Sequence, residues 1–169
     1  MNSFLKNDGW NGKGSPNEMK LIDLLNEELV VLEIKGTTKK DIIAELSSML
    51  DKQGRLHDKH GFENAVLKRE ATSTTGIGFG VAIPHGKTDA VSVPSVVFAK
   101  HIDGVDWDSL DGEPVQLIFL IAVPESHAGN EHLKILQMLS RKLIHDDFRN
   151  ALLKATSKEE VLNVLKTVE

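Results

Sequence analysis

The stretch VQLIFLIAV, residues 115–123, is almost wholly apolar. It reads as a central strand of a sheet covered on both faces, because a strand with one wet face would alternate apolar and polar side chains. Its length is well short of the roughly 20 residues a membrane helix needs, and no other apolar run comes closer. Working outward, PSVVFAKH (94–101) and GVAIPH (80–85) read as further strands, and LVVLEIK (29–35) as another. Helical patterns fall between and after them. Thr38, with Asp41 three residues on, opens an amphipathic helix carrying Ile42, Ile43, Leu46, Met49 and Leu50, with Gly54 as its stop. FENAVLKRE (62–70) continues as a second helix, with Arg69 and Glu70 near its C-terminal end. Leu133, Leu136, Leu139 and Leu143 mark a third. DDFRNALLKA (146–155) is a fourth, opened by an Asp cap, and Ser157 with Glu160 forms a capping box for the last. LIDLLN (21–26) reads as a short helix. The expectation is one α/β domain, a β-sheet flanked by helices on both sides, over residues 19–169. Residues 1–18, rich in Asn and Gly, read as a flexible N-terminal tail or an added leader, and Trp10 stands alone there.

Composition narrows the function classes. The 169-residue chain suits one full-sized core, and its net charge of −5 advertises no basic face for nucleic acid. There are no cysteines, which removes disulfides, thiol catalysis and thiolate metal sites together and fits a reducing compartment such as the cytoplasm. The opening residues lack the continuous apolar core of a signal peptide.

GFGVAIPHGK (78–87) carries the chemistry. Pro84 fixes its own φ, pushes Ile83 into an extended conformation and offers no N–H to a sheet ladder. His85 therefore stands where a strand runs out, and Gly86 has no side chain to shield it. Upstream, TSTTGIGFG (72–80) offers hydroxyls at Thr72, Ser73, Thr74 and Thr75 and backbone N–H groups able to face an anion. A neutral imidazole attacks phosphorus well and gives a phosphohistidine; such transfer needs positioning and charge stabilisation above all. Arg69, His132 and the hydroxyl loop are candidate donors. GIGFG is not the dinucleotide fingerprint, and the Lys-Ser/Thr pair of a nucleotide-binding P-loop is absent.

The residues RE (69–70), TST (72–74), IG (77–78) and VAIPHGK (81–87), then PVQLIFLIAVPES (114–126) and NEHLKILQMLSRKL (130–143), together resemble the fructose/mannitol-type enzyme IIA domain. That domain serves the bacterial phosphoenolpyruvate-dependent sugar phosphotransferase system. The resemblance runs from about Leu21 to the C-terminus. It implies an α/β fold with a mixed β-sheet flanked by helices on both sides, and a phosphocarrier whose His85 accepts a phosphoryl group from phospho-HPr and passes it to the cysteine of an enzyme IIB domain, with membrane enzyme IIC involved indirectly. His132 is then the second active-site histidine, and Arg69 the arginine that holds phosphate. No cofactor, metal, nucleic acid or membrane insertion is expected. The phosphoryl group would bring close to two negative charges, met by the Arg69 fork and one His132 N–H. The non-reacting nitrogen of His85 is expected to be held by a backbone carbonyl.

Partners must reach His85. Strand alternation buries Val81 and Ile83, so Phe79 is the apolar partner-contact candidate. His57, His60, His101, His127 and His145 have no supporting motif and default to surface positions, while Trp107 reads as a packed loop residue. His127 and His132, five apart, would not share a helix face as zinc ligands do, and H-E-x-x-H is absent. Two rival classes stand beside transport: a regulatory relative of the nitrogen-related branch signalling through the same histidine, and a metal-dependent or hydrolytic enzyme.

Overall fold

A computed structural model describes residues 20–125 and 131–169. The sheet has six strands: β1 (Val30–Val31), β2 (Gly76–Gly78), β3 (Val81–Ala82), β4 (His85–Lys87), β5 (Ser95–Val105) and β6 (Val115–Val123). Five helices accompany them: α1 (Lys39–Lys52), α2 (Lys59–Thr72), α3 (Glu131–Leu143), α4 (Asp146–Lys154) and α5 (Lys158–Leu165). The strand order is β1-β5-β6-β3-β2, with β4 also paired to β6. β6 runs antiparallel to β5 and parallel to both β3 and β4. Every β6 residue except Gln116 is buried, as is β5 from Ser95 to His101, so these strands are covered on both faces. The chain is a single α/β domain with a mixed sheet, as the family resemblance implied, and the apolar run at 115–123 is its central, doubly covered strand.

β3 and β4 lie on the same side of β6, one beyond the other. Ala82 pairs with Ile118 and His85 with Ile121. The segment GVAIPH is thus an interrupted strand rather than a continuous one. The gap falls at Ile83–Pro84, although the Pro84 carbonyl still accepts from Ile121 N at 3.0 Å. LVVLEIK is shorter than expected, pairing only at Val30 and Val31, and LIDLLN forms a 3-10 turn over Leu21–Leu24.

Helix ends follow the sequence in most places. Thr38 caps α1 by accepting from Asp41 N, and Gly54 takes φ +69° just past its end. Ser157 caps α5 by accepting from Glu160 N. α4 differs: its N-cap is His145, with no side-chain cap, and Asp146 instead pairs with Arg149 one turn on. The C-terminal end of α4 is closed from the sheet. Buried Lys100, on β5, donates to the carbonyls of Leu152, Leu153 and Ala155 at 3.1, 3.0 and 2.6 Å. In α3 the inward stripe is Ile135, Met138, Leu139 and Leu143, and Leu133 is exposed.

Candidate active site

α2 and β4 build the site between them. Gly86 lets them approach closely: a Cβ there would lie 3.0 Å from Val66 Cγ2 and 3.2 Å from Phe62 Cε1, both on α2 and both fully buried. α2 then ends at Thr72, which brings Arg69 beside the start of β4. The resulting cleft, about 420 Å³, is lined by Ala65, Lys68, Arg69, Thr72, His85, Gly86, Lys87 and His132. Among the described residues its lining has three basic side chains, two imidazoles and no carboxylate, a setting for an anion.

His85 is half-buried, and its ring centroid lies 6.3 Å from that of His132, planes tilted by 32°. Its Nδ1 lies 3.0 Å from the Ile83 carbonyl oxygen. A carbonyl can only accept, so Nδ1 carries the proton and the lone pair of the neutral ring resides on Nε2. One ring nitrogen of His85 is thus held by a backbone carbonyl. Burial pulls His85 below the ordinary imidazole range; the Ile83 hydrogen bond opposes this, the Arg69 guanidinium adds to it, and the Glu70 carboxylate opposes it. The imidazole is therefore mostly neutral near pH 7.

Arg69 Nη1 donates to the Ser73 carbonyl at 2.8 Å and reaches Ser73 Oγ at 3.4 Å, which holds the guanidinium at the cleft wall. The hydroxyl loop divides. Thr72 lines the cleft, whereas Ser73 does not. Thr74 is engaged elsewhere: its hydroxyl donates to the Trp107 carbonyl at 2.7 Å and accepts from Gly76 N at 3.0 Å.

Phe79 is 58% exposed, as expected of a partner contact, but stands at the other end of the sheet. Val81 and His85 pair with Leu117 and Ile121, four residues and ~13 Å apart along β6, and Phe79 precedes Val81. It adopts φ +60°, with the Arg149 guanidinium 4.6 Å from its ring centroid. Near the cleft the exposed apolar side chain is Leu133, next to His132.

His57, His60 and His145 are exposed, but His101 is not: it is buried, with Nε2 2.8 Å from the Gly36 carbonyl. β5 is covered on both faces there, so the surface default fails. Trp107 is fully buried. His127 and residues 1–18 lie outside the described residues.

Sequence reasoning passed over Lys68, Lys87 and Glu70. Glu70 is the informative case. A carboxylate in the last turn of a helix opposes the helix dipole, and that misfit was the available signal. It is 7% exposed and accepts from Thr75 N at 2.8 Å, Thr75 Oγ1 at 2.5 Å and Lys39 Nζ at 3.1 Å.

Residues 23–168 match the family described as "Phosphoenolpyruvate-dependent sugar phosphotransferase system, EIIA 2". The chain is 46% identical to the fructose-specific EIIA component of Haloferax volcanii, over 83% of this chain and 91% of that one. It is 42% identical to the fructose-specific EIIABC component of Bacillus subtilis over 87% of its own length, and spans 23% of that longer protein. Among solved structures, the nitrogen regulatory protein IIA-Ntr of Neisseria meningitidis superposes with a TM-score of 0.79 at 33% identity, covering 85% of this chain and 97% of that one. Enzyme IIA-mannitol of Escherichia coli, in complex with phosphorylated enzyme IIB-mannitol, gives 0.73 at 28% identity over 83% and 96%. With a match across nearly its whole described length, the chain belongs to the EIIA 2 family of the phosphoenolpyruvate-dependent sugar phosphotransferase system.

Proposed function

We propose that this chain is a phosphocarrier of fructose-type sugar uptake. It takes a phosphoryl group from phospho-HPr on His85 and gives it to the cysteine of an enzyme IIB domain. The observation that carries the reading is the Ile83 carbonyl on His85 Nδ1, which leaves the Nε2 lone pair for chemistry in a cation-lined cleft. In the first step Nε2 attacks phosphorus and the donor's N–P bond breaks, its electron pair staying on the donor imidazole. The Nδ1 proton remains in place, and the ring gains positive character against the Ile83 carbonyl. Arg69 and His132 meet the charge on the phosphoryl oxygens as it passes. In the second step the acceptor thiolate attacks phosphorus and the Nε2–P bond electrons return to His85. No cofactor takes part.

The EIIA unit spans residues 19–169 and works in the cytoplasm, with enzyme IIC served only through IIB. No helix among the described residues is long and apolar enough to cross a membrane. The complex of a related IIA with its phosphorylated IIB supports the acceptor assignment. Identities of 46% and 42% to fructose-specific relatives favour sugar transport. The likeness to IIA-Ntr supports a second reading, a regulatory module that signals through the same phosphohistidine.

One experiment tests both. The protein is incubated with phosphoenolpyruvate, enzyme I and HPr, and an acid-labile phosphoryl group is sought by mass. His85→Ala is expected to abolish it; a variant that still labels has another nucleophile. Adding fructose-type IIB domains is expected to discharge the label. Failure of every IIB to do so would favour the regulatory reading.

A further inference from the structure

The buried Glu70 carboxylate is linked to His85 by three hydrogen bonds that meet at the backbones of Thr75 and Ile83. Glu70 Oε2 accepts from Thr75 N at 2.8 Å. The Thr75 carbonyl accepts from Ile83 N at 3.0 Å. The Ile83 carbonyl holds His85 Nδ1 at 3.0 Å. The two middle residues, Thr75 and Ile83, take part through their backbones, so the fold fixes the link between the two side chains at its ends. Thr75 is pinned a second time: its hydroxyl donates to Glu70 Oε1 and accepts from Trp107 Nε1 at 3.2 Å. The Lys39 ammonium closes the system from α1, 3.1 Å from Glu70 Oε2 and 5.7 Å from the centroid of the Trp107 ring.

We propose that Glu70, with Lys39 as its counter-ion, is a positioning residue for phosphoryl transfer. Through Thr75 and Ile83 it sets where the His85 ring sits, and its charge sets how basic that ring is. The proposal rests on the reading of His85 as the phosphoryl acceptor. It gives Glu70 a task distinct from that of Arg69, its neighbour on α2. Arg69 lines the cleft, whereas Glu70 touches no reacting atom and acts through two backbone segments.

The charges around the system favour this role. His85 faces Arg69, Lys68 and Lys87 and the His132 ring, with no carboxylate among the cleft residues. Glu70 is the acidic group acting on His85, and it raises the ring's basicity against burial and Arg69. Lys39 is the cation on Glu70 and lies 4.0 Å from the exposed Asp108 carboxylate. When Nε2 is phosphorylated, the ring gains positive character and the Nδ1–H···O=C bond strengthens. The negative charge of the nearby buried Glu70 carboxylate stabilises that state more than the neutral ring.

Glu70→Gln separates shape from charge. The amide oxygen can accept from Thr75 N, and the amide nitrogen can donate to Thr75 Oγ1, which has a lone pair for it. The fold is kept and the charge removed. Lys39→Gln is the companion variant, at a partly exposed position, and decides the question if Glu70→Gln does not fold. His85 is followed by NMR titration of its ring nitrogens, and transfer by single turnover from phospho-HPr. The expected result is a lower His85 midpoint in Glu70→Gln, a higher one in Lys39→Gln, and transfer slowed by roughly ten- to hundredfold in both. A folded variant with wild-type ring shifts and midpoint would overturn the proposal, even if transfer slowed. A wild-type protein that phospho-HPr does not label counts against the phosphocarrier reading alone. The titration needs no donor and still decides the role of Glu70.

Discussion

Gly86→Ala is the smallest change that should separate the two halves of the site. The added methyl would lie 3.0 Å from Val66 Cγ2 and 3.2 Å from Phe62 Cε1. Ordinary carbon contacts are about 3.5–4.0 Å, so α2 or β4 must give by roughly half an ångström. Neither has an easy exit. Val66 and Phe62 are fully buried, and β4 is held to β6 through His85, Gly86 and Lys87. Overpacking of this kind costs about 1–3 kcal/mol. For a domain of this size that is a fall in Tm of roughly 2–12 °C, readable by differential scanning calorimetry. The displacement widens the gap between Arg69 on α2 and His85 on β4, so transfer from phospho-HPr slows as well. Val66→Ala in the Gly86→Ala background makes room for the methyl. The pair should couple favourably by about 0.5–3 kcal/mol and recover part of the transfer rate. If Gly86→Ala melts with the wild type, or the double variant loses the full sum of the single losses, then close approach of helix and strand is not what this glycine provides.

Three further outcomes are expected. Burial holds His85 below the ordinary imidazole range, so labelling by phospho-HPr should stay on its plateau below pH about 6.5, the unperturbed value. The same shift acts on stability: its contribution is fully present above the unfolded pKa and lost as pH falls through the folded one. His85→Ala should flatten that limb in urea titrations, and a labelling limb at or above pH 6.5 would contradict the assignment. Arg69→Lys keeps charge but loses the planar fork, so transfer should fall while Tm changes little, and His132→Ala should slow onward transfer more than labelling; unchanged single-turnover rates would remove the residue concerned from the site. Lys100→Met strips three carbonyls at the end of α4 of their donor; a loss of about 2–4 kcal/mol in urea unfolding is expected, with labelling of the native protein intact.

Most of the fold was legible because it depends on local signals. The apolar run of β6 required cover on both faces, and Thr38 and Ser157 announced their helices through side chains within three residues. Strand order was hidden because it depends on partners far apart: β1 joins β5 across about 65 residues of chain, and β3 joins β6 across about 35. Asp146 misled for a nearby reason. It sits where a cap could form, but Arg149 one turn away takes its carboxylate. His101 misled because a lone polar residue is assigned to the surface by default. The cover over β5 at that point comes from elsewhere in the chain, including the Gly36 segment that supplies its hydrogen bond. Phe79 was read correctly as exposed and wrongly as adjacent. Six residues from His85 sounds close, but in an extended chain it is the length of a strand.

The lesson of the histidine loop is finer. Pro84 was legible as a break in a ladder, and the break is there, yet its main consequence concerns the residue before it. The strand is interrupted at Ile83–Pro84, although the Pro84 carbonyl keeps its bond to Ile121 N; the Ile83 carbonyl, turned to the side away from β6, is taken by His85 Nδ1. Without that carbonyl either tautomer would be open to the imidazole. The Ile83 N–H, in turn, goes to Thr75, and so to Glu70. The interrupted segment that presents His85 therefore also fixes its tautomer. It hands Nδ1 to a backbone run that ends on a buried carboxylate.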